Sequence, residues 1–585
     1  MNEFKYAMTV WRFGTRFALG LAATLLLGCH SETSTAASDV ETGWPHGAMI
    51  SAANPHAAEA GASMLERGGH AIDAAIAAHA VLGLVEPQSS GIGGGAFLLT
   101  YDRASGDLTY LDGREMAPAG ATADMFMQDG EVMGFIDAWQ SGLAVGVPGT
   151  IALYKRAHDE YGKLPWEDLF DPAIELAENG FHVSPRLAGF LVRLQDVGRL
   201  SINPDTAAYF YPGGEPLAEG QLLVNVEYAN TLRRIATEGP AAFYEGEIPE
   251  SIVAAASQPP NPGSLSLDDF ANYRVIERPV VCGTFRVYRI CTTTPPSSGG
   301  AQIMIAGIYD HLVDDDSSDM GRIAAFVDAQ RLAYADRDYY FGDPDAVNVS
   351  LEDLLNPVYL RHRADNRFAP DEPVSPGNPA LVLNGSGALQ FAPDTTEEAS
   401  GTSHLSIIDL DGNAVGMTAT IEGIFGSSRW AHGFLLNNQM TDFAREFDAD
   451  APPQANAVRP GARPRSSMSP TMIFDEDGAL LMITGSPGGN SIPAYVAKSI
   501  LGTLDWSLSP QEALDHSNIV ARGDTVRVEI SVEPGPEVAE YLKQLGYAVE
   551  EREGENSGLH VILVEADGLV GAADKRREGE VIAVP

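Results

Sequence analysis

The sequence has little positive charge and little lysine in particular. Its 585 residues include 37 Lys and Arg, of which only six are Lys, against 80 Asp and Glu, and the formal net charge is −43. Because such an acidic surface repels polyanions, nucleic-acid binding is excluded as the main function. With 44% apolar residues the chain can still bury a large core, which excludes wholesale disorder. The length fits one large domain or two to three ordinary ones.

Several catalytic and cofactor motifs are also missing. The 13 His show no H-E-x-x-H or comparable ligand spacing, so we predict no catalytic metal and no cofactor. No G-x-S-x-G nucleophile motif is present. The glycines at 91–95 formally match a dinucleotide fingerprint, but they follow a helical pattern and precede a strand pattern, the reverse of the Rossmann order. The Gly-rich loop at 485–489 lacks the Lys-Ser/Thr of a P-loop.

The N-terminus has the pattern of an export signal. Lys5, Arg12 and Arg16 precede an apolar run at 17–27, which is too short for an ordinary transmembrane helix. The run ends in Leu-Leu-Gly-Cys, which resembles a bacterial lipobox and implies a signal peptide at 1–28 and lipidation of Cys29. Residues 29–42 would be a polar tether. We therefore expect a bacterial envelope protein, periplasmic and lipid-anchored; a generic signal peptide with an incidental Cys is the alternative. No later segment offers 18 consecutive apolar residues.

The other two cysteines, Cys282 and Cys291, bracket a short strand-like stretch. An exported protein folds in an oxidising space, so a local disulfide between them is favoured as a structural feature. Two buried free thiols are the alternative.

A β-hairpin is predicted after residue 401. Residues 402–409 alternate as a strand, 410–412 form a turn, and 413–420 form a second strand. A three-residue turn with Gly412 in the left-handed conformation would place Thr402 opposite Thr420, on the same face of the sheet. Glu422 would follow two positions later. A slip of one residue would undo this arrangement.

A second feature is the tight loop at 485–489, between a buried-type strand at 479–484 and a helical pattern at 490–504. Such a loop directs free backbone N–H groups outward beside a helix N-terminus, which suits a carboxylate or a developing oxyanion. Before the hairpin, residues 375–400 are irregular and polar. After it, the last 184 residues have the pattern of one sheet covered by helices.

Seven segments in order resemble the γ-glutamyltranspeptidases, a family of N-terminal nucleophile hydrolases, and the resemblance runs from about residue 47 to the C-terminus. They are VEPQSSGIGGG at 85–95, REMAP at 114–118, PPSSGG at 295–300, GTSH at 401–404, LLNNQM at 435–440, SSMSP at 466–470 and TGSPGG at 484–489. The resemblance implies an α/β (α+β) fold, a four-layer αββα sandwich of N-terminal nucleophile hydrolase type.

The resemblance also implies that the precursor cuts itself at the Gly401–Thr402 bond. The products would be a large subunit, 43–401, and a small subunit, 402–585, that remain together as a heterodimer. The freed amine of Thr402, with an ordinary pKa of about 8, would act as general base for its own hydroxyl. His404, two residues away, is then not needed as a base. Thr420 would hydrogen-bond the nucleophile, and Gly488 and Gly489 would form the oxyanion hole.

The substrate residues follow from the same resemblance. Arg114, with Ser466 and Ser467, would bind the α-carboxylate of a γ-glutamyl group. Glu422, Gln439 and Asp442 would surround its α-ammonium. Some members of the family carry Asn at position 422 and others carry an acid, so Glu422 bears on substrate detail and not on the family resemblance. The interval 443–465 contains no Tyr or Trp, so we expect no aromatic lid and an open site.

The expected activity is cleavage of the γ-glutamyl amide of glutathione and related compounds, with transfer to water or to amino acid and peptide acceptors. One alternative is a glutaryl- or cephalosporin-type acylase on the same scaffold, whose substrates lack the α-amino group. Another is an envelope binding lipoprotein without catalytic activity.

Overall fold

The structure, a computed structural model, describes residues 44–585 apart from 196, 198, 199 and 202. The proposed signal peptide, Cys29 and the tether lie outside the described residues. Across the described part of the chain, no helix is both long and apolar enough to cross a membrane.

The described strands and helices are numbered along the chain. The strands are β1 (Ala48–Ala52), β2 (Gly95–Tyr101), β3 (Leu108–Gly113), β4 (Met127–Gln128), β5 (Glu131–Val132), β6 (Phe181–His182), β7 (Leu222–Leu223), β8 (Ile276–Arg278), β9 (Val280–Phe285), β10 (Tyr288–Thr293), β11 (Gly401–Ile408), β12 (Ala414–Glu422), β13 (Trp430–Ala431), β14 (Phe434–Leu435), β15 (Thr471–Phe474), β16 (Leu480–Gly485), β17 (Ile519–Arg522), β18 (Thr525–Glu529), β19 (Val549–Arg552), β20 (His560–Glu565), β21 (Gly568–Ala573) and β22 (Glu580–Val584).

The helices are α1 (Pro55–Glu66), α2 (Ala71–Val85), α3 (Phe135–Gln140), α4 (Thr150–Tyr161), α5 (Asp171–Asn179), α6 (Pro185–Gln195), α7 (Pro204–Phe210), α8 (Val226–Glu238), α9 (Ala241–Tyr244), α10 (Glu247–Ala256), α11 (Leu267–Asn272), α12 (Gly299–Leu312), α13 (Asp319–Tyr340), α14 (Leu351–Leu354), α15 (Pro357–Asp365), α16 (Pro379–Asn384), α17 (Ile492–Leu504), α18 (Pro510–Asp515) and α19 (Gly535–Leu545). Short 3₁₀ turns cover Gly142–Ala144, Trp166–Phe170, Pro212–Gly214, Gln439–Asp442 and Gly489–Ser491.

Two antiparallel sheets lie at the centre of the fold. The first has seven strands in the order β22-β1-β11-β12-β2-β3-β8, and the second has six in the order β21-β20-β16-β15-β10-β9. Every neighbouring pair in both sheets is antiparallel. All residues of β11 and β12 are buried, because both faces of the first sheet are covered.

The two sheets pack face to face between helical layers. Phe97 and Leu99 of β2 share a buried apolar cluster with Ile483 of β16, which places a core between the sheets. Helices α1 and α2 cover the outer face of the first sheet, where the Ala-rich sequence of α2 allows close packing. Helices α12 and α17 cover the second sheet, and α13 packs against α12 and β17. This is a four-layer αββα sandwich, so the predicted fold class is confirmed.

The β11–β12 hairpin has the predicted register. Thr402 pairs with Thr420, and the strands close at a three-residue turn, where the Asp409 N–H donates to the Asn413 carbonyl at 2.9 Å. Gly412 has a φ of +82°, a conformation that costs a glycine little. The register shifts by one residue between Thr402 and Gly401, so Gly401 lies opposite Glu422. The irregularity in this hairpin thus lies at the residue pair where cleavage is expected.

The remaining cysteines lie opposite each other in the β9–β10 pair. The structure joins Cys282 to Cys291 by a disulfide across this hairpin, with Cys282 exposed and Cys291 buried. The alternative of two buried free thiols does not describe this structure.

Candidate active site

Thr402, near the start of β11, is buried and hydrogen-bonded to its predicted partner. Its Oγ1 donates to Thr420 Oγ1 at 3.2 Å, and Thr420 Oγ1 in turn donates to the Gly401 carbonyl at 2.5 Å. The chain is continuous from Gly401 to Thr402 within β11. Thr420 therefore links the Thr402 hydroxyl to the Gly401 carbonyl, the group that this hydroxyl would attack. The hydrogen bond from Thr420 polarises that carbonyl. Arg577, which the sequence analysis did not find, donates from Nη1 to the Thr402 carbonyl at 2.7 Å.

The predicted oxyanion loop follows β16 and leads into α17. Gly488 has a φ of +138° and Gly489 a φ of +55°, both in the range that favours glycine. A Cβ atom on Gly489 would lie 2.4 Å from the Glu398 carbonyl oxygen and 2.6 Å from that of Ala399. We name residues 394–401 the pre-Thr402 segment; its residues Glu398 and Ala399 therefore pass directly over this loop in the uncut chain.

The head-group residues Arg114, Gln439 and Asp442 meet in one buried cluster. Arg114 follows β3, and its Nη2 donates to Asp442 Oδ2 at 2.6 Å and to the Arg465 carbonyl at 3.0 Å. Gln439 and Asp442 share a 3₁₀ turn, in which Gln439 Nε2 donates to the same Asp442 oxygen at 2.5 Å. Gln439 Oε1 and Asp442 Oδ1 are buried and accept no hydrogen bond from the described residues. They are acceptors available to a donor that enters the cluster.

Glu422 brings a further carboxylate to this cluster from the end of β12. Its Oε1 accepts a hydrogen bond from the Ala399 N–H at 2.8 Å, and its Oε2 accepts one from the Asn438 side chain. Burial raises the pKa of Glu422. Burial and then the charge of Glu422 raise the pKa of Asp442 well above its usual range, although Arg114 opposes the shift. Two buried carboxylates of like charge in one cluster oppose each other's ionisation.

The predicted carboxylate-binding serines lie close to the pre-Thr402 segment. The Ser467 N–H donates to Glu398 Oε2 at 2.7 Å, and Ser467 Oγ accepts a hydrogen bond from Arg337 Nη2 at 2.7 Å. Arg337 also pairs with Glu398. Ser467, predicted to bind a substrate carboxylate, thus donates its N–H to a carboxylate of the chain itself.

Ser466 is held against the segment at 295–298 and by its own loop. Its N–H donates to the Pro296 carbonyl at 2.8 Å, and its Oγ accepts from the Met468 N–H at 3.2 Å. Its carbonyl accepts a hydrogen bond from Ser298 Oγ at 2.7 Å. In the uncut chain, these contacts position Ser467 but do not bring Ser466 into contact with Arg114.

Sequence reasoning missed other buried charges of this region. Glu115 is fully buried, its Oε2 lies 3.8 Å from Arg114 Nη1, and neither of its oxygens accepts a hydrogen bond from a described residue. Burial raises the pKa of Glu115 to about 7. Glu115 belongs to the REMAP motif and Asn438 to the LLNNQM motif. Their positions in these motifs could therefore have indicated that they lie at the site. Arg337 in α13 and Glu398 in an irregular segment had no such signal.

His404 is buried between the two sheets. Its Nδ1 is hydrogen-bonded to Thr418 Oγ1 at 2.8 Å and its Nε2 to Ser406 Oγ at 3.1 Å. Burial, together with His560, lowers the pKa of His404 well below its usual value, so the ring is neutral near pH 7. These contacts agree with the assignment of no general-base role to His404.

The interval 443–465 lies beside the pre-Thr402 segment. The Ala444 N–H donates to the Asn456 carbonyl at 2.9 Å, and the Arg445 guanidinium lies 5.1 Å from the ring centre of Phe135. Residues 446–453 are exposed. Within the described residues, no group of three or more His, Cys, Asp or Glu could hold a metal ion.

Comparison with known proteins identifies the family. The family described as Gamma-glutamyltranspeptidase matches residues 57–584. A glutathione hydrolase proenzyme of Escherichia coli (strain K12) is 36% identical over 554 residues, and one of Bacillus subtilis (strain 168) is 34% identical over 548 residues. Each alignment covers 92% of this chain and 91% of the relative. The crystal structure of cephalosporin acylase from Bacillus halodurans superposes with a TM-score of 0.80 at 25% identity, over 92% of this chain and 96% of the acylase. The chain belongs to the γ-glutamyltranspeptidase family.

Proposed function

We propose that this protein is a self-processing γ-glutamyl hydrolase and transferase. The observation that carries the proposal is the pair of buried acceptors, Gln439 Oε1 and Asp442 Oδ1, beside Arg114. A γ-glutamyl group presents an α-ammonium and an α-carboxylate on the same carbon. The α-ammonium can donate to the two acceptors that lack a donor. The guanidinium in the same cluster can bind the α-carboxylate.

The first step is maturation of the precursor. Thr402 Oγ1 attacks the Gly401 carbonyl carbon, the Gly401–Thr402 C–N bond breaks, and an ester to Thr402 forms while its nitrogen gains a proton. Water then hydrolyses the ester and leaves a free amine on Thr402. The hydrogen bond from Thr420 to the Gly401 carbonyl supports this step, because it stabilises the charge that develops on that oxygen. The proenzyme names of the two relatives agree with a processed precursor.

Turnover then uses the freed amine as the base. It takes the proton of Thr402 Oγ1 as the oxygen attacks the γ-amide carbon, and the amine half of the substrate leaves with a proton. The backbone N–H groups of Gly488 and Gly489 would stabilise the tetrahedral oxyanion, a contribution on the order of 3 kcal/mol per donor. Water or an acceptor amine resolves the acyl-Thr402 ester, so hydrolysis and transfer compete for one intermediate. Glutathione would yield cysteinylglycine and a γ-glutamyl product.

The second candidate is an acylase of the glutaryl or cephalosporin type. The Bacillus halodurans acylase, which superposes on this chain, has the same scaffold. A glutaryl group lacks the α-ammonium, so it would leave the acceptors of Gln439 and Asp442 buried without a donor. An unpaired buried polar group costs about 1–3 kcal/mol, which favours the γ-glutamyl substrate.

The test compares γ-glutamyl-p-nitroanilide with glutaryl-p-nitroanilide as substrates of the purified protein. We expect a kcat/KM at least about 100-fold higher for the γ-glutamyl compound, which corresponds to about 2.7 kcal/mol. A preference for the glutaryl compound would identify an acylase.

A denaturing gel distinguishes the enzyme from a binding lipoprotein. The enzyme should give two bands, and the smaller should begin Thr-Ser-His-Leu. The Thr402→Ala variant should remain one inactive band.

We also propose an envelope location with a lipid anchor on Cys29. The proposal is supported by the Leu-Leu-Gly-Cys sequence at the end of the apolar run. Mass spectrometry of the membrane fraction should find the mature N-terminus at Cys29 with added acyl chains. A Cys29→Ser variant should leave the membrane fraction if the anchor is correct.

A further inference from the structure

Two cavities beside Thr402 share Ser400, Arg527 and Arg552 in their walls. The larger has a volume of about 860 Å³ and the smaller about 230 Å³. The smaller reaches Gly488 of the predicted oxyanion loop. Both also approach the cleavage site, since the Asn556 side chain in the wall of the larger one donates to the Ser400 carbonyl at 3.2 Å.

Arginine dominates these walls, and we name the two cavities together the arginine channel. Its six guanidiniums belong to Arg186, Arg193, Arg522, Arg527, Arg552 and Arg576. Four acids line it as well, and two of them, Glu397 and Glu398, belong to the pre-Thr402 segment. The chain as a whole has 80 acidic and 37 basic residues. A cleft lined by more arginines than acids therefore has the opposite charge balance to the rest of the protein.

The arginines of the channel differ in how far they are already neutralised. Arg576 pairs with Glu529 and Asp574, and Arg552 pairs with Glu550 at 2.5 Å. Exposed pairs of the Arg552 type are worth less than about 1 kcal/mol, so they exchange readily for a ligand carboxylate.

Two further arginines of the channel are only weakly neutralised by carboxylates. Arg193 is exposed and packs against the Phe190 ring at 4.3 Å, and no ion pair to it occurs within the described residues. The Nη1 of Arg186 is buried and donates no hydrogen bond to a described residue, and its ion pair with Glu86 Oε1 is long, at 4.0 Å.

The uncut chain already places its own carboxylates next to this channel. Glu398 is bound by Arg337, Arg465 and the Ser467 N–H, and its neighbour Glu397 is exposed in the wall of the smaller cavity. Both glutamates lie in the segment that ends at the bond to be cut. Movement of this segment after cleavage would remove two acids and leave Glu550 and Glu555 as the acids in the walls. Arg522 and Arg576 would still be paired with acids outside the walls, namely Asp338 for Arg522 and Glu529 and Asp574 for Arg576.

We propose that the arginine channel binds the part of the substrate beyond the γ-glutamyl amide, and that it selects leaving groups and acceptors with two or more carboxylates, such as acidic peptides. The inference rests on the proposed function and specifies its substrate class. In transfer, the amine of the acidic peptide attacks the acyl-Thr402 ester carbon. The ester C–O bond breaks, and the proton lost by the amine goes to Thr402 Oγ1. The arginines act by holding the peptide carboxylates while this exchange occurs.

The test compares two donors of nearly equal shape, γ-glutamyl-Glu-Glu and γ-glutamyl-Gln-Gln, with the processed two-chain protein. We expect kcat/KM to be at least about tenfold higher for the Glu-Glu compound at low salt. The preference should shrink as NaCl is raised towards 1 M, because salt screens the exposed arginines. Equal kcat/KM values for the two donors at low salt would overturn the proposal.

Variants locate the effect in the channel. The double variant Arg193→Glu/Arg552→Glu should reduce the Glu-Glu to Gln-Gln ratio by at least about tenfold. Arg361→Glu makes the same charge change as either single substitution, at an exposed position of α15 outside the channel, and should leave the ratio unchanged. If the double variant does not fold, Arg193→Gln alone should still lower the ratio. A ratio that none of these channel variants moves would contradict the proposal. Turnover of γ-glutamyl-p-nitroanilide, measured in parallel, tests the proposed function separately.

Discussion

Arg114 donates a hydrogen bond to Asp442 at 2.6 Å, although the family resemblance assigns these two residues to opposite charges of the substrate. In the uncut chain the cation and the anion of the site therefore neutralise each other. A substrate that carries both a carboxylate and an ammonium can replace this one ion pair by two, without a change in the net charge of the pocket. Removal of either partner alone would leave an uncompensated buried charge.

Asp442→Asn tests this relationship. The change leaves the fully buried Arg114 without its carboxylate and removes an anion that would bind the substrate ammonium, so both stability and affinity should fall. We expect a loss of about 3–5 kcal/mol in unfolding free energy. We expect a fall of at least about 100-fold in kcat/KM for γ-glutamyl-p-nitroanilide.

The matched control is Asp168→Asn, which breaks the exposed Arg67–Asp168 pair. It should cost less than about 1 kcal/mol and leave turnover unchanged. Equal effects of the two substitutions on urea unfolding would show that the Arg114 pair is not held as the structure has it.

Thr420→Val tests the hydrogen bond to the Gly401 carbonyl. Valine keeps the branched shape of threonine but has no hydroxyl, so the carbonyl loses a donor that lies 2.5 Å away. Removal of one such donor costs on the order of 100-fold to 1,000-fold in rate, and we expect precursor cleavage to slow by about that factor. The half-time for conversion of one gel band into two measures the rate. Thr420→Ser retains the hydroxyl and should process within about tenfold of wild type, whereas equally rapid processing of both variants would contradict the role of Thr420.

Gly489→Ala tests the contact between the loop and the pre-Thr402 segment. A Cβ atom there would lie 2.4 Å from the Glu398 carbonyl oxygen, which belongs to the backbone and cannot rotate away. We expect the segment to be displaced and precursor cleavage to slow. Gly461→Ala is the matched control, because Gly461 has a φ of +72° with no atom within 4 Å of the added Cβ. Its strain of about 1 kcal/mol should lower stability without slowing cleavage; the same slowing in both variants would assign the effect to strain alone.

Glu115→Gln tests the raised pKa of a buried acid. Burial raises the pKa of Glu115 from 4.5 to about 7, so between these values the folded protein holds a proton that the unfolded chain has released. The unfolding free energy of wild type should therefore fall as pH rises through this interval, by about 3 kcal/mol in total from this group. Glutamine does not titrate, so the variant should gain stability relative to wild type between pH 5 and pH 8. Urea unfolding at pH 5 and pH 8, in the uncut Thr402→Ala background, measures the difference in unfolding free energy between the protein with Glu115 and the Glu115→Gln variant. A difference that does not depend on pH would show that Glu115 is not protonated in the folded protein.

Removal of the disulfide should lower the stability of the protein. Cys282 and Cys291 are nine residues apart, so the bond closes a short loop. A loop of this length reduces the entropy of the unfolded chain by an amount worth about 2–3 kcal/mol. The double variant Cys282→Ala/Cys291→Ala should lower the urea midpoint accordingly, and wild type in a reducing agent should approach it. Turnover should change little, since neither cysteine lies among the active-site residues described above.

Local pattern was sufficient to predict several parts of this protein. The register of β11 and β12 follows from alternating residues and a three-residue turn with Gly412, both contained within about 20 residues. The opposition of Thr402 and Thr420 is a consequence of that register. The pairing of Cys282 with Cys291 has the same local origin in a hairpin. Short-range geometry restricts such features strongly, so the sequence determines them with little help from the rest of the chain.

The tertiary structure decided which distant charges meet. Arg114 and Asp442 are 328 residues apart, and the Glu398 carboxylate reaches the Ser467 amide across 69 residues. No periodicity or turn signal encodes such contacts, because they arise only when the two sheets and their helices pack together. The arginine channel likewise combines α6 with the strands and loops that follow residue 520. The sequence by itself thus determined the hairpin that sets Thr402 opposite Thr420 and, through the family resemblance, indicated Arg114, Glu422 and Asp442. Packing decided which of these charged groups pair with one another.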